Sequence, residues 1–259
     1  MNELQILVVV YNKESFESKT LKSLVGKCNK HSIVVWNNGP NEFSRSSLQF
    51  LDDNFSNYEI KETLDNISLS KLYNYFLVKY NSHRYLILDD DSDIESYPML
   101  CDDIMYCNVP HVVVNGDNIY PKIDREGHVT SINSGLLITN AIKKEMTEKF
   151  GNVFDENYRF YGIDSSFFKR LSLLNNNKAL KVNISGVINH DLSRLSDKLF
   201  NEFKERERII AKGISARRYF TVYKCMSFFY ALIRNLSTFR FSIVGSGVIA
   251  FYKGSHPRE

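Results

Sequence analysis

The apolar segment Tyr85-Leu86-Ile87-Leu88 runs directly into Asp89, Asp90, Asp91 and Asp93, four carboxylates within five residues. Like charges at that spacing repel one another unless a cation neutralises them. A buried strand that ends in this way must open at its carboxyl end onto a polar rim built to hold positive charge. A solvated acidic turn is the bland alternative, and the flanking segments weigh against it.

Those segments repeat one pattern. Gln5 to Tyr11 (QILVVVY) is a continuous β-rich apolar run, as expected of a strand covered on both faces. Ser15 to Lys27 reads as a helix, and Ser32 to Trp36 as a second buried strand stopped by the turn Asn37-Asn38-Gly39-Pro40. Tyr58 to Thr63 fits a short third strand, and Ser68 to Tyr80 a helix with Leu69, Leu72, Tyr73, Phe76 and Leu77 on one face. Tyr85 to Leu88 and Val112 to Asn115 continue the strands. Alternation of this kind predicts an α/β fold with a mostly parallel sheet and helices on both faces. Ligands of such sheets sit outside the carboxyl ends of the strands, where Tyr11-Asn12, Asn37-Asn38-Gly39 and the acid cluster would converge.

Further along, Ser131 to Thr139 reads as a turn feeding a strand, and Phe154 to Leu174 as a loop and a helix. Ala179 to Ile188 reads as a strand pair leading to Asn189-His190-Asp191, and Leu195 to Lys212 as a charged helix. No internal repeat or low-complexity region interrupts the chain.

The chain has 259 residues, 43% hydrophobic and 24% charged, a globular profile. Met1-Asn2-Glu3-Leu4-Gln5 enters the first strand without the basic and small-residue features of a signal peptide. Cys28, Cys101, Cys107 and Cys225 have no metal-binding spacing, so reduced thiols and a cytoplasmic location are expected. The net charge of +3 conceals an asymmetry: residues 211–259 hold eight basic residues and one acid, or +7, leaving −4 for residues 1–210. We therefore divide the chain into a domain over 1–210 and a basic, aromatic helical segment over 211–259. Within that segment Tyr219, Val222, Tyr223, Met226, Phe229, Tyr230 and Ile233 follow helical spacing, and Phe241 to Tyr252 forms a second apolar stretch. Both fall short of the ~18 to 20 residues that span a bilayer. Apolar faces flanked by Arg and Lys fit an element lying on an anionic membrane surface. A core-packing helical pair or a homodimer contact is the alternative. No nucleic-acid partner is expected.

In chain order, five segments resemble the glycosyltransferase family 2 enzymes, nucleotide-sugar-dependent transferases with a GT-A fold, over about residues 4 to 192. Val10-Tyr11-Asn12 is similar to that family's first strand and nucleotide-contacting loop. Val34 to Gly39 resembles its second strand ending in Asp-Asn-Gly-Ser, with Asn37 in place of Asp and Pro40 in place of Ser. Asn66-Ile67-Ser68-Leu69-Ser70-Lys71-Leu72-Tyr73-Asn74 is similar to its Asn-x-Gly-x-x-x-Ala-x-Asn helix start, with Ser68 where Gly is common. Asp89-Asp90-Asp91 occupies the DxD position. Phe154-Asp155-Glu156 and Tyr161-Gly162-Ile163-Asp164, followed by Arg170, resemble the acceptor-side motif that carries the catalytic base.

The resemblance implies a role for each position. Val10, Tyr11, Asn12, Asn37, Asn66, Ser70, Lys71 and Asn74 would contact the donor, together with Asp89 and Asp90. Asp91 would ligate a divalent cation, with Asp89 on the ribose or on a metal-bound water and Asp93 as a cap or supporting group. His190 resembles the late histidine that completes the metal site, and an imidazole would tilt a hard-oxygen preference for Mg²⁺ towards Mn²⁺. A cap or surface position is the alternative for His190. Asp164 would be the general base, although Asp164-Ser165-Ser166 also reads as a helix N-cap. The family often places Glu just before this Asp, where this chain has Ile163. Ser134-Gly135 would let the backbone approach the sugar or diphosphate, with a simple tight turn as the alternative. Arg194 would contact the diphosphate, or else be a solvated charge.

The expected function is inverting, metal-dependent sugar transfer from a nucleotide-diphosphate donor to a lipid-linked glycan at the cytoplasmic face of a bacterial membrane. The segments around Gly162-Ile163-Asp164 and His190-Asp191 resemble enzymes of surface polysaccharide assembly (O-antigen or capsule), including rhamnosyltransferases. dTDP-rhamnose, UDP-glucose and UDP-galactose or its N-acetyl form all remain open as donors. Two other functions compete. A haloacid-dehalogenase-like phosphatase also places Asp-x-Asp after a strand, but on its first one, whereas here that strand ends in Tyr11-Asn12. A non-catalytic sugar-nucleotide-binding protein would keep the fold and tolerate the departures at Asn37, Ser68 and Ile163.

Overall fold

The computed structural model describes residues 2–28, 30–96, 106–174, 181–190 and 201–258. Its centre is a nine-stranded sheet. Strands β1 (Asn2–Val10), β2 (Ser32–Asn37), β3 (Tyr58–Glu62) and β4 (Ser82–Asp89) form one half, in the order β3-β2-β1-β4, every pair parallel. The other half continues from β4 through β10 (Leu136–Thr139), β6 (Tyr106–Val114), β11 (Lys181–His190) and β5 (Ser92–Ser96), with β7 (Asp117–Tyr120) added to β6. There β10 runs antiparallel to both β4 and β6, β11 parallel to β6, and β5 antiparallel to β11. The sheet is thus parallel in its first half, as the strand–helix alternation predicts, and mixed in its second. The short strands β8 (Lys122–Ile123) and β9 (Val129–Thr130) make a separate hairpin.

Alternation along β1 explains why its apolar run is unbroken. Leu7 and Val9 enter one core with Tyr73, Phe76, Phe154 and Phe167, and Leu4, Ile6, Val8 and Val10 enter the other with Leu21, Leu24 and Leu51. Helices α1 (Lys19–Leu24) and α2 (Arg45–Asn54) cover the second face; α3 (Leu69–Lys79), α4 (Asn140–Phe150) and α5 (Ile163–Leu174) cover the first. Serine and threonine caps set several starts: Ser18 Oγ accepts from the Leu21 amide, Ser44 Oγ from Ser47, and Thr139 Oγ1 from Ile142.

Local chemistry moves some expected boundaries. The helix expected over Ser15 to Lys27 is only Lys19–Leu24, after a 3₁₀ turn at Ser15–Glu17. Ser15 donates its amide and hydroxyl to Ser47, and Ser18 caps the next helix, so one continuous helix cannot form. The strand expected at Val112 begins at Tyr106. In place of the expected strand pair near Ala179, β11 is a single strand with an irregularity between Ile184 and Val187, where Gly186 takes φ +86°. Residues 175–180 of that span lie outside the described residues.

After residue 201 the chain forms three helices, α6 (Glu202–Arg218), α7 (Val222–Ser237) and α8 (Phe241–Lys253). Part of the span expected as a charged helix, residues 195–200, lies outside the described residues. Helix α6 runs unbroken across position 210, where the sequence suggests a division. Ile210, Ala211, Ile214 and Ala250 join the core under the sheet, and Ile209, Phe228, Ala231 and Ile243 form a small core between the helices. Gly213 lets α6 meet α8 closely, since a Cβ there would stand 2.7 Å from the Gly247 carbonyl oxygen. His256 and Glu207, both buried, pair at 3.1 Å and anchor the end of the chain to α6. Among the described residues, no helix is long and apolar enough to cross a membrane.

Candidate active site

The register of the sheet delivers the acid cluster to a shared rim. Val9 lies opposite Asp89 across the parallel β1–β4 pair, so both strands end together. β10 runs the other way beside β4, which puts the turn before it, with Ser134, at the same end. β11 ends there too, with His190 opposite Ser92. Helix α5 begins nearby and carries Asp164 in its first turn.

Asp89, Asp91 and His190 each place a ligand atom within 4.8 Å of the others. His190 Nδ1 lies 3.0 Å from Asp91 Oδ1 and 3.3 Å from Ser92 Oγ. Asp91 Oδ1 is sealed from solvent and faces His190 Nδ1 as its charge partner. Burial, followed by the neighbouring Asp91 charge, pushes the Asp89 carboxyl up to about 7. Burial would depress His190, but the Asp91 carboxylate beside it prevails and raises it. Two carboxylates and an imidazole crowded together are a donor set suited to a divalent cation of the Mn²⁺ or Mg²⁺ kind.

The turn is braced from behind. Ser134 Oγ accepts the Asp89 amide at 3.0 Å and lies 2.7 Å from Ser92 Oγ. Thr20 Oγ1 donates to the carbonyls of Ser92 and Asp89 and accepts the Ser92 amide at 3.0 Å. Asp90 turns the opposite way, accepting from the Tyr11 amide at 3.1 Å and from Lys13 Nζ at 2.6 Å. Burial nonetheless raises its carboxyl above the ordinary range.

The cluster opens into a cavity of about 870 Å³, whose wall includes Lys13, Tyr73, Asn133, Tyr161 and Asp164. This is room for a ligand of nucleotide-sugar size. Asp164 accepts the Asn133 amide, and burial pushes its carboxyl up to about 6. A carboxyl so poised can take a proton near neutral pH. Ser131 Oγ and Asn133 Oδ1, in the same wall, are buried without hydrogen-bond partners. Buried polar atoms in that state are expected where a ligand completes them.

Of the residues singled out in the sequence, Tyr11, Asp89, Asp90, Asp91, Asp164 and His190 line this cavity. The others are placed differently. Val10 is fully buried in the far core. Asn12, at φ +53°, donates its amide to Gly39 O and lines a small neighbouring pocket of about 210 Å³. Asn37 spends its side chain on Asn41 O, Glu62 and the Gly39 amide. Asn66, at φ +47°, accepts from Asn38 through its side chain and from Arg159 through its carbonyl. Ser70 Oγ donates to Tyr158 O, and Asn74 clamps both backbone groups of Phe154 and reaches Glu156. Lys71 is exposed on α3, away from the cavity wall. Ser134 supports Asp89 from behind, without reaching the cavity wall. Gly135 serves packing, since at φ +83° a Cβ would stand 2.4 Å from Pro110 Cγ. Asp93 is exposed on β5. Arg194 lies outside the described residues.

Several members of the site carried weak sequence signals. Tyr73 reads as one apolar position of α3, yet its hydroxyl bonds Asp89 at the cavity. A tyrosine among leucines was the available hint. Thr20 and Ser92 are small hydroxyls with no motif around them. Asp155 proves to be a buried brace, pairing with Arg170 at 3.3 Å and accepting from Tyr219 at 2.9 Å. A second acidic cluster, Asp124, Glu126 and His128, sits on the exposed β8–β9 hairpin, where Asp124 Oδ1 already accepts two backbone amides.

Comparison with known proteins gives structural likeness only. No protein-family model and no curated protein matches the chain. The fold is similar to that of Staphylococcus aureus TarS, at TM-score 0.51 and 12% identity over 83% of this chain and 44% of that one. A shorter form, TarS 1–349, gives TM-score 0.50 and 13% identity over 89% of this chain and 79% of that one. TarS 1–349 in complex with UDP gives TM-score 0.50 and 14% identity over 83% and 72%. The chain therefore spans less than half of the first of these TarS structures and shares its GT-A-like α/β fold.

Proposed function

We propose that the chain is an inverting, metal-dependent glycosyltransferase that moves a sugar from a nucleotide-diphosphate donor to a lipid-linked glycan. The observation that carries this reading is the convergence of Asp89, Asp91 and His190 on one wall of a cavity that also holds Asp164. The GT-A-like fold supports it, and so does the UDP complex of TarS as a precedent for a uridine nucleotide in that fold.

In this reading Asp91 and His190 hold Mn²⁺ or Mg²⁺, with Asp89 bonding either the ion or the ribose. A divalent ion there supplies charge neutralisation for a diphosphate leaving group. The side chains do the rest. Lys13 and the Tyr11 amide fix Asp90 and so shape the turn, while Ser131 and Asn133 offer unpaired polar atoms to the donor. Asp164 takes the proton of the acceptor hydroxyl as that oxygen bonds to the anomeric carbon. The bond from that carbon to the diphosphate breaks on the opposite face, and the nucleotide leaves with the electron pair.

The apolar exposed side of α7 supports a membrane location for the acceptor. Val222, Tyr223, Met226, Phe229, Tyr230 and Ile233 are all exposed, and Arg218, Arg234 and Arg240 lie close to them in sequence. The test of the function as a whole is transfer itself. Purified protein with Mn²⁺ should release UDP or dTDP from one of the candidate donors only when a lipid-linked saccharide is present. Release of inorganic phosphate from simple phosphoesters instead would favour the phosphatase, and donor binding with no turnover would favour a binding protein.

A further inference from the structure

Beside the cavity lies a second pocket of about 470 Å³, walled by the start of α5, by α6 and by α7. The two share Tyr161, Gly162 and Ser165, the residues that flank Asp164. The second pocket is strongly cationic: Arg208, Lys212, Lys224 and Arg234 face it against one carboxylate, Glu205. That carboxylate is occupied, because Arg234 and Asn235 both donate to it. Among the described residues neither Arg208 nor Lys224 forms an ion pair; each lies over a tyrosine ring, Arg208 over Tyr161 at 5.6 Å and Lys224 over Tyr219 at 5.1 Å. Burial, and then the charge of Lys169, hold Lys224 below the ordinary lysine range. With Glu205 already engaged by Arg234, an anionic ligand beside Arg208 and Lys224 would stabilise both.

The pocket's position says which anion. One wall adjoins the catalytic carboxylate. The lining also includes Tyr223, which is 80% exposed and belongs to the apolar side of α7. We propose that this pocket holds the phosphoryl group that joins the acceptor's lipid to its saccharide, with the alkyl chain running out over Tyr223 and the saccharide turned towards Asp164. The assignment rests on the glycosyltransferase reading and adds the chemistry and the seat of its acceptor. Arg208 and Lys224 donate to the phosphoryl oxygens, and Tyr223 and Met226 cover the first methylenes.

The test is calorimetric titration of the full chain with three probes: n-dodecyl phosphate below its micelle concentration, inorganic phosphate, and UDP with Mn²⁺. Dodecyl phosphate should bind at least about tenfold more tightly than inorganic phosphate. In the double variant Arg208→Gln/Lys224→Gln its binding should weaken by roughly 10- to 100-fold, as expected for lost charged hydrogen bonds, while UDP affinity holds. Lys224→Gln alone, a milder change, should weaken it in the same direction. Asp91→Ala should do the reverse, losing UDP and keeping dodecyl phosphate. Equal binding of inorganic and dodecyl phosphate would mean a free-anion site and overturn the proposal. Unchanged dodecyl phosphate binding in the variants, or its displacement by UDP, would overturn it too. A wild type that binds dodecyl phosphate but not UDP would instead count against the donor reading.

Discussion

His190 Nδ1 stands 3.0 Å from Asp91 Oδ1, joining the last residue of β11 to the turn after β4. The two residues are 99 positions apart, and the register of β11 against β5 and β6 brings them together. A cation between them would replace one buried charge contact with several, so the site's stability should depend on metal.

Asp91→Ala should therefore abolish metal-dependent nucleotide binding without unfolding the protein. In a thermal-shift assay, wild type with Mn²⁺ and UDP at about 100 times Kd should gain ~2.7 kcal/mol, and the variant should gain nothing. Equal stabilisation of both proteins would place the ion elsewhere.

Asp164→Asn should leave UDP binding intact and reduce transfer by roughly 10²- to 10⁴-fold. In the wild type the rate should rise with pH through about 6, where Asp164 loses its proton, and level off above it. A pH–rate profile flat from 5 to about 8 would remove Asp164 from the role.

Metal binding should release protons. Folded-state carboxyl values of about 7 for Asp89 and about 6 for Asp164 lie above the ordinary 3.8. Between those limits the metal-free folded chain holds more protons than the unfolded one, so these groups' contribution to stability is full below the unfolded value and is lost as pH rises through the folded ones. Mn²⁺ needs the ligands deprotonated. Titrations near pH 6.5 in buffers of different ionisation heat should show net proton release, and a buffer-independent heat would contradict this.

Gly162→Ala should be destabilised by ~1–2 kcal/mol or more in urea unfolding. Gly162 takes φ +87°, and a Cβ there would stand 2.6 Å from the Tyr158 ring. Since Gly162 precedes Asp164 by two residues, transfer should fall further than stability alone explains. A variant as stable as wild type would show that the turn can relax.

Membrane association should be tested by point changes. Ala250 and the His256–Glu207 pair tie the end of the chain into the fold, so deleting everything after Arg217 would expose core. Met226→Ser with Ile233→Ser should instead weaken co-sedimentation with anionic liposomes by roughly 10-fold or more, each lost side chain removing ~1.5–3 kcal/mol of burial. Unchanged partitioning would leave the face to another partner.

The parallel half of the sheet was legible because β1, β2 and β4 are uninterrupted apolar runs, and uninterrupted runs mean two covered faces. The mixed half was legible only in part: the strand expected within Ser131–Thr139 is present as β10, whereas β5 carries Asp93 and Glu95 among its five residues and does not read as a strand. Helices α2 and α4 are polar enough to pass for loops until their serine and threonine caps are seen in place. In the site, the carboxylates and His190 announced themselves by charge at strand ends. Asn37, Asn66 and Asn74 did not sort themselves, because an asparagine that braces a turn and one that meets a ligand look alike in sequence. Their hydrogen bonds to Glu62, Asn38 and Phe154 distinguish them only once the fold is formed.

The most direct measurement is anomalous diffraction from crystals grown with Mn²⁺ and UDP. A single strong peak within bonding distance of Asp91 and His190, touching the diphosphate, is the expected result. Bound UDP with no peak there, or manganese on the Asp124–His128 hairpin instead, would contradict the account.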